Sequence, residues 1–169
     1  MGYTHYYTRD KRNVGTAEQY GRLALDAKAI IAEARAQGLE ICGAWGEGEP
    51  EFTEAYFALN GSEKDGLAYE GFAWEGAPEQ PDHQRKYKRG TVQENEIFDF
   101  CKTAQKPYDA VVTAILIRAK VIYGDIVDIG SDGDWETDWQ AGRDLYEKVF
   151  GEPAVCPLDP TTWRKRGAA

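Results

Sequence analysis

The chain predicts an α+β fold: one mixed sheet of about five or six strands with three helices packed on it. Two observations carry this. Apolar residues recur at helical spacing in three separate stretches, and strand-like alternation with turn chemistry fills most of the rest. A third fixes the topology: the strand-like run from Glu96 to Lys102 passes through a long helical stretch into another short strand, Asp125 to Ile129, as in a crossover.

Taken in order, Gly2 to Thr8 is rich in Tyr and Thr and predicts a strand with Tyr3, His5 and Tyr7 on one face and Thr4, Tyr6 and Thr8 on the other. From Thr16 the pattern turns helical. Thr16 can cap, Gln19 follows three residues later, and Tyr20, Leu23, Ala27, Ile30, Ile31 and Ala34 form one face up to Gly38. Leu39 to Trp45 reads as a short strand and Gly46 to Glu51 as a loop. Phe52 to Asn60 and Leu67 to Trp74 read as a hairpin, because Asn60-Gly61 and Asp65-Gly66 tolerate positive φ. Gly76 to Arg89 carries two prolines and mixed charge and reads as the main surface loop. A helix is expected from about Pro107 to Tyr123, apolar almost all round and so central, then a third from Trp135 to Phe150.

At 169 residues and 42% hydrophobic content, the chain supports one core, so a single domain over 1–169 is expected, with an irregular tail from about residue 152. Its net charge of −9 argues against broad binding to nucleic-acid backbones. The charge is uneven. Ten carboxylates face the single base Lys64 between Ala44 and Asp82, and Arg85, Lys86, Lys88 and Arg89 follow. That acidic stretch is either a solvated face or a surface for a protein partner. Cys42, Cys101 and Cys156 are odd in number and widely spaced, which suggests neither a disulfide framework nor a cysteine zinc site and fits a reducing cytoplasm. No basic-then-apolar leader and no uninterrupted membrane-length run is visible, so a cytoplasmic protein that avoids the membrane is expected.

Several chemistries have little sequence support. Gly-x-Ser-x-Gly, the phosphate-binding P-loop and a usable Gly-x-Gly-x-x-Gly are missing, which argues against a nucleophile elbow, P-loop hydrolysis and dinucleotide redox chemistry. Asp128, Asp132 and Asp134 fit a calcium loop poorly, since its third position is Gly130 and its twelfth Trp139. No metal and no cofactor is therefore expected.

What remains is a polar junction. If the crossover holds, the carboxyl ends of its two strands open on one sheet edge, bringing Lys102, Thr103, Lys106, Tyr108 and Asp109 towards Ser131 and Asp132. Ammonium groups there would meet anionic oxygens, hydroxyls would donate, and Tyr3, Tyr108 or Trp74 would stack on a ring. The competing reading has Thr103 as a cap, Asp109 as a helix-dipole partner and Ser131-Asp132 as the start of the next helix. His5, flanked by tyrosines, is a candidate acid or base with Asp109 or Asp132 orienting it, or else a core histidine bonded to backbone. Tyr6, Tyr7, Trp45, Tyr69, Tyr87, Trp135 and Trp139 complete an aromatic set larger than a plain core needs.

Gly2-Tyr3-Thr4-His5-Tyr6, Leu59-Asn60-Gly61, Phe100-Cys101-Lys102-Thr103, Lys106-Pro107-Tyr108-Asp109 and Ser131-Asp132-Gly133 before a Trp-bearing helix together resemble a family of uncharacterised small proteins of phages and bacteria. The likeness spans most of the chain. It departs at Tyr69-Glu70-Gly71-Phe72, where the family pattern carries a Glu-Thr-Phe type segment. By analogy with small phage proteins, the resemblance implies an accessory protein in the host cytoplasm that sequesters a small phosphorylated or nucleotide-like molecule as counter-defence. Two other expectations stand beside it: an enzyme that cleaves or transfers such a molecule through His5, and an acidic inhibitor of a host complex. The sequence leaves homo-oligomerisation open.

Overall fold

The computed structural model describes residues 2–78 and 96–159. Six strands and three α-helices are found there: β1 (Thr4–Asp10), α1 (Ala17–Ala36), β2 (Glu51–Phe52), β3 (Tyr56–Leu59), β4 (Phe72–Glu75), β5 (Glu96–Lys102), α2 (Asp109–Tyr123), β6 (Val127–Ser131) and α3 (Gln140–Phe150). A 3-10 turn, Gly124–Ile126, joins α2 to β6. The basic run 85–89, His83, Tyr87 and the last ten residues lie outside the described residues.

The α+β class holds, and the single sheet does not. Two three-stranded antiparallel sheets form instead, ordered β5-β1-β6 and β2-β3-β4. The physical reason lies in β1. Its two edges are taken by β5 and β6, and the hairpin β3-β4 finds its third strand in the two-residue β2. The crossover β5–α2–β6 is present, so these two strands run the same way, but β1 lies between them and is antiparallel to both. Thr4 faces Lys102 while His5 lies between Cys101 and Ser131, so the start of β1 is flanked by the ends of both neighbours.

Further elements differ from expectation for local reasons. Phe52 to Asn60 is not one strand, since Thr53 Oγ1 accepts from the Ala55 and Tyr56 N–H groups and turns the chain between β2 and β3. Leu39 to Trp45 is no strand; it keeps one bridge, Cys42 to Asn60, because the Gly43 N–H turns back to Glu47 and Gly48. The last helix starts at Gln140 rather than Trp135. Asp134 accepts from the N–H groups of Glu136 and Thr137, and such a local side-chain turn competes with helix.

The helix signals act as the sequence implies. Thr16 and Gln19 form a reciprocal capping box, and the six apolar residues of α1 named above are its buried face. α2 is enclosed almost completely and lies between α1 and α3, with Gly142 allowing close approach: a Cβ there would sit 1.9 Å from Thr113 Oγ1. The second sheet stands over the distal half of β1. Tyr7 donates to the Ala73 carbonyl, Arg9 donates to that of Glu75, and the Arg9 guanidinium lies 4.6 Å from the Trp74 ring centre. The proximal half of β1, with His5, is left to α2 and the segment before α3.

Candidate functional site

His5 is fully buried and bonded at both ring nitrogens. Nε2 lies 2.7 Å from Asp109 Oδ1 in the first turn of α2, and Nδ1 lies 2.9 Å from Ser131 Oγ at the end of β6. Tyr3 and Trp139 pack edge-on against the imidazole at centroid distances of 5.1 and 5.2 Å, and Thr103 donates to the same Asp109 oxygen at 2.5 Å. One residue each from β1, β6 and α2, with Thr103 just after β5, therefore meets around one ring.

Counting donors and lone pairs assigns the protons. Ser131 Oγ accepts from the Gly133 N–H at 2.9 Å and from the Trp139 indole N–H at 3.1 Å, which occupies both lone pairs. Its own proton must then go to His5 Nδ1. That leaves Nε2 carrying hydrogen and donating to Asp109, so the chain reads Ser–His–Asp in the polarity that acyl-transfer enzymes use. The same count shows its limit: with both lone pairs of Ser131 engaged, none is free to attack a carbon or phosphorus in this state. The Tyr3 hydroxyl is buried beside this group without a hydrogen-bond partner. Burial first, then the charge of Asp109 and Asp138, push its ionisation well above the ordinary tyrosine range.

Backbone strain sits at the same place. Ala104 and Gln105 both have positive φ, 51° and 54°, and the Lys106 N–H closes the turn on the Thr103 carbonyl at 3.0 Å. Two consecutive left-handed non-glycine residues cost about 1–2 kcal/mol each. This turn delivers Thr103 to Asp109.

The expected site residues fall into two groups. Tyr3, His5, Thr103, Asp109 and Ser131 come together, with Asp132 beside them accepting from the Thr4 N–H and the Tyr6 hydroxyl, both at 3.0 Å. Lys102 and Lys106 stand at the rim, not in the network. The Lys102 ammonium is 3.8 Å from Glu70, and that of Lys106 donates to the Gly66 carbonyl at 2.8 Å. Trp74 is displaced altogether: it is fully buried on β4 of the second sheet, stacked on Tyr7 of β1, because its indole supplies the contact between the two sheets. Tyr108 is also enclosed, its hydroxyl donating to the Glu70 carbonyl at 2.6 Å, so neither ring can stack on a ligand. Cys101 is fully buried and desolvation pushes its thiol well above the usual range, which leaves it an apolar filler.

Sequence reasoning did not name Trp139 as a site residue, placing it only on the third helix and in the enlarged aromatic set; its spacing from Ser131 gave no sign that the indole would donate back. Among the described residues, no three His, Cys, Asp or Glu side chains gather to hold a metal ion, and no helix is long and apolar enough to cross a membrane. No family model, curated protein or solved structure shows significant similarity to the chain.

Proposed function

We propose that the protein binds a small phosphorylated or nucleotide-like molecule at the rim where the ends of β5 and β6 flank the start of β1. One observation carries the reading: a fully buried histidine tied to Asp109 and Ser131, a costly arrangement, braces that rim beside Lys102 and Lys106. The two ammonium groups are held by a carboxylate at 3.8 Å and a lone carbonyl, partners that a phosphate can outcompete. His5 itself does not reach the ligand; it positions Ser131 and Asp109. The resemblance to phage proteins supports a sequestering role in the host cytoplasm.

A thermal-shift screen of nucleotides, cyclic nucleotides and sugar phosphates tests this. A ligand at a hundred times its Kd adds about 2.7 kcal/mol, a rise of roughly 5–10 °C for a chain of this size. The shift should disappear in Lys102→Ala/Lys106→Ala while the unliganded Tm stays put. A flat response across the panel overturns the proposal.

The Ser131–His5–Asp109 chain favours a second reading, turnover of the same ligand with His5 as acid or base acting through Ser131. Ligand recovered unchanged after heat release supports binding alone. Products that vanish in Ser131→Ala support the enzyme.

A further inference from the structure

Three large hydrophobic side chains open to solvent, Trp45, 87% exposed, Tyr69, 51%, and Phe100, 38%, stand on segments whose backbones are joined in one line by hydrogen bonds. The line is rigid. Asn60 Nδ2 donates to the carbonyls of both Ala44 and Tyr69, at 2.9 and 3.0 Å, while Asn60 Oδ1 accepts the Tyr69 N–H at 3.2 Å. The Gly46 N–H closes a turn on Gly43, so Trp45 stands on a short loop fastened at both ends. Beyond Tyr69, the Glu70 carboxylate accepts the Lys102 N–H at 3.2 Å, and the Lys102 ammonium lies 5.9 Å from the Phe100 ring. Gly71 allows the close crossing beneath, since a Cβ there would sit 2.6 Å from the Ala44 carbonyl.

A tryptophan so fully hydrated and so firmly mounted contributes little to its own fold, and large exposed rings on a rigid base are what protein interfaces use as anchors. Charge selects the partner. Glu47 and Glu49 follow Trp45, Glu63 and Asp65 lie in the next loop and Glu70 adjoins Tyr69; Lys64 and Lys102 each lean on a carboxylate, Arg35 meets Glu49 at 2.9 Å and Lys106 holds the Gly66 carbonyl, so with Glu40 the carboxylates still outnumber the cations and Glu47 has no cation paired to it among the described residues. Nucleic acid is repelled by such a surface, and a basic protein is drawn to it. A guanidinium stacks flat on an indole while its planar fork binds a carboxylate bidentately, whereas an ammonium meets either one as a strongly hydrated point charge.

We propose that the Trp45–Tyr69 surface docks a partner protein through an arginine-bearing segment, with Trp45 as the stacking anchor and Glu47 and Glu49 as its carboxylate flank. This is independent of the phosphate-ligand reading: Trp45, Tyr69, Glu47 and Glu49 take no part in that site.

Fluorescein-labelled nona-arginine and nona-lysine peptides of equal charge serve as probes, titrated by anisotropy at 150 mM salt. Nona-arginine should bind at least tenfold tighter than nona-lysine, and Trp45→Ala should abolish that preference with its Tm unchanged. Glu47→Lys/Glu49→Lys should weaken both peptides. Equal affinity for the two peptides, no binding of either, or an arginine preference that survives Trp45→Ala overturns the proposal. So does tighter binding of a single-stranded oligonucleotide than of nona-arginine.

Discussion

Replacing His5 by alanine probes the central network directly. The change leaves the Asp109 carboxylate, only 8% exposed as a residue, with Thr103 as its remaining side-chain donor and strips the Ser131 hydroxyl of its acceptor. Taking the imidazole donor away from a buried carboxylate costs about 1–3 kcal/mol or more, and the space left by the ring brings the total to about 3–5 kcal/mol. At roughly 2–4 °C per kcal/mol for this size, Tm should fall by about 6–20 °C. Asp109→Asn should cost less, about 1–2 kcal/mol, because an amide oxygen still accepts from both His5 and Thr103. The decisive measurement is a cycle of urea unfolding, followed by far-UV circular dichroism, on wild type, His5→Ala, Asp109→Ala and the double variant. Coupling should reach about 2 kcal/mol, since the second substitution removes a partner already lost. Additivity within about 0.5 kcal/mol would refute the network as the brace of this rim.

Asp99, at about 6, is held above the ordinary carboxylate range chiefly by desolvation. Because the folded value exceeds the unfolded one, near 3.9, the folded state favours the protonated form: stability from this group is full below about pH 4 and is lost as pH rises towards 6. Asp99→Asn should therefore raise stability at pH 7.5, by at most about 3 kcal/mol, and leave it unchanged at pH 3.5; an equal gain at both pH values would contradict this origin. Glycine at Ala104 or Gln105 relieves a left-handed conformation and should stabilise by up to about 1 kcal/mol in chemical denaturation, after the entropy it adds to the unfolded chain. A loss there would show that the turn is not strained. Tyr3→Phe removes a buried hydroxyl that has no partner, so unfolding free energy should stay level or rise by about 1 kcal/mol, and a clear fall would reveal a partner.

What could be read from the chain was local or followed from connectivity. The Thr16–Gln19 box and the apolar face that follows it are helix signals within a few residues, and the crossover put Ser131 and Asp109 at one end of the sheet. What could not be read was pairing over distance. Nothing in Gly2 to Thr8 indicates that this strand would lie between two later ones, and that placement alone decides that two sheets form and that His5 is enclosed. Ring placement failed for a related reason: Trp74 and Tyr108 carry the same residue types as Trp45 and Tyr69, and only tertiary packing determines which pair is buried and which is presented to solvent.

The central position of β1 has a consequence for how the molecule assembles. Thr4 pairs with Lys102 and receives a bond from Asp132, 128 positions further on, so during synthesis one edge of β1 stays bare until β5 has followed and the other until β6 has. Such long-range closure slows the search for the native state, and an uncovered strand rich in tyrosine and threonine is a template for joining another copy. Refolding yield should therefore fall steeply as protein concentration rises, and a chaperone that shields nascent strands should restore it.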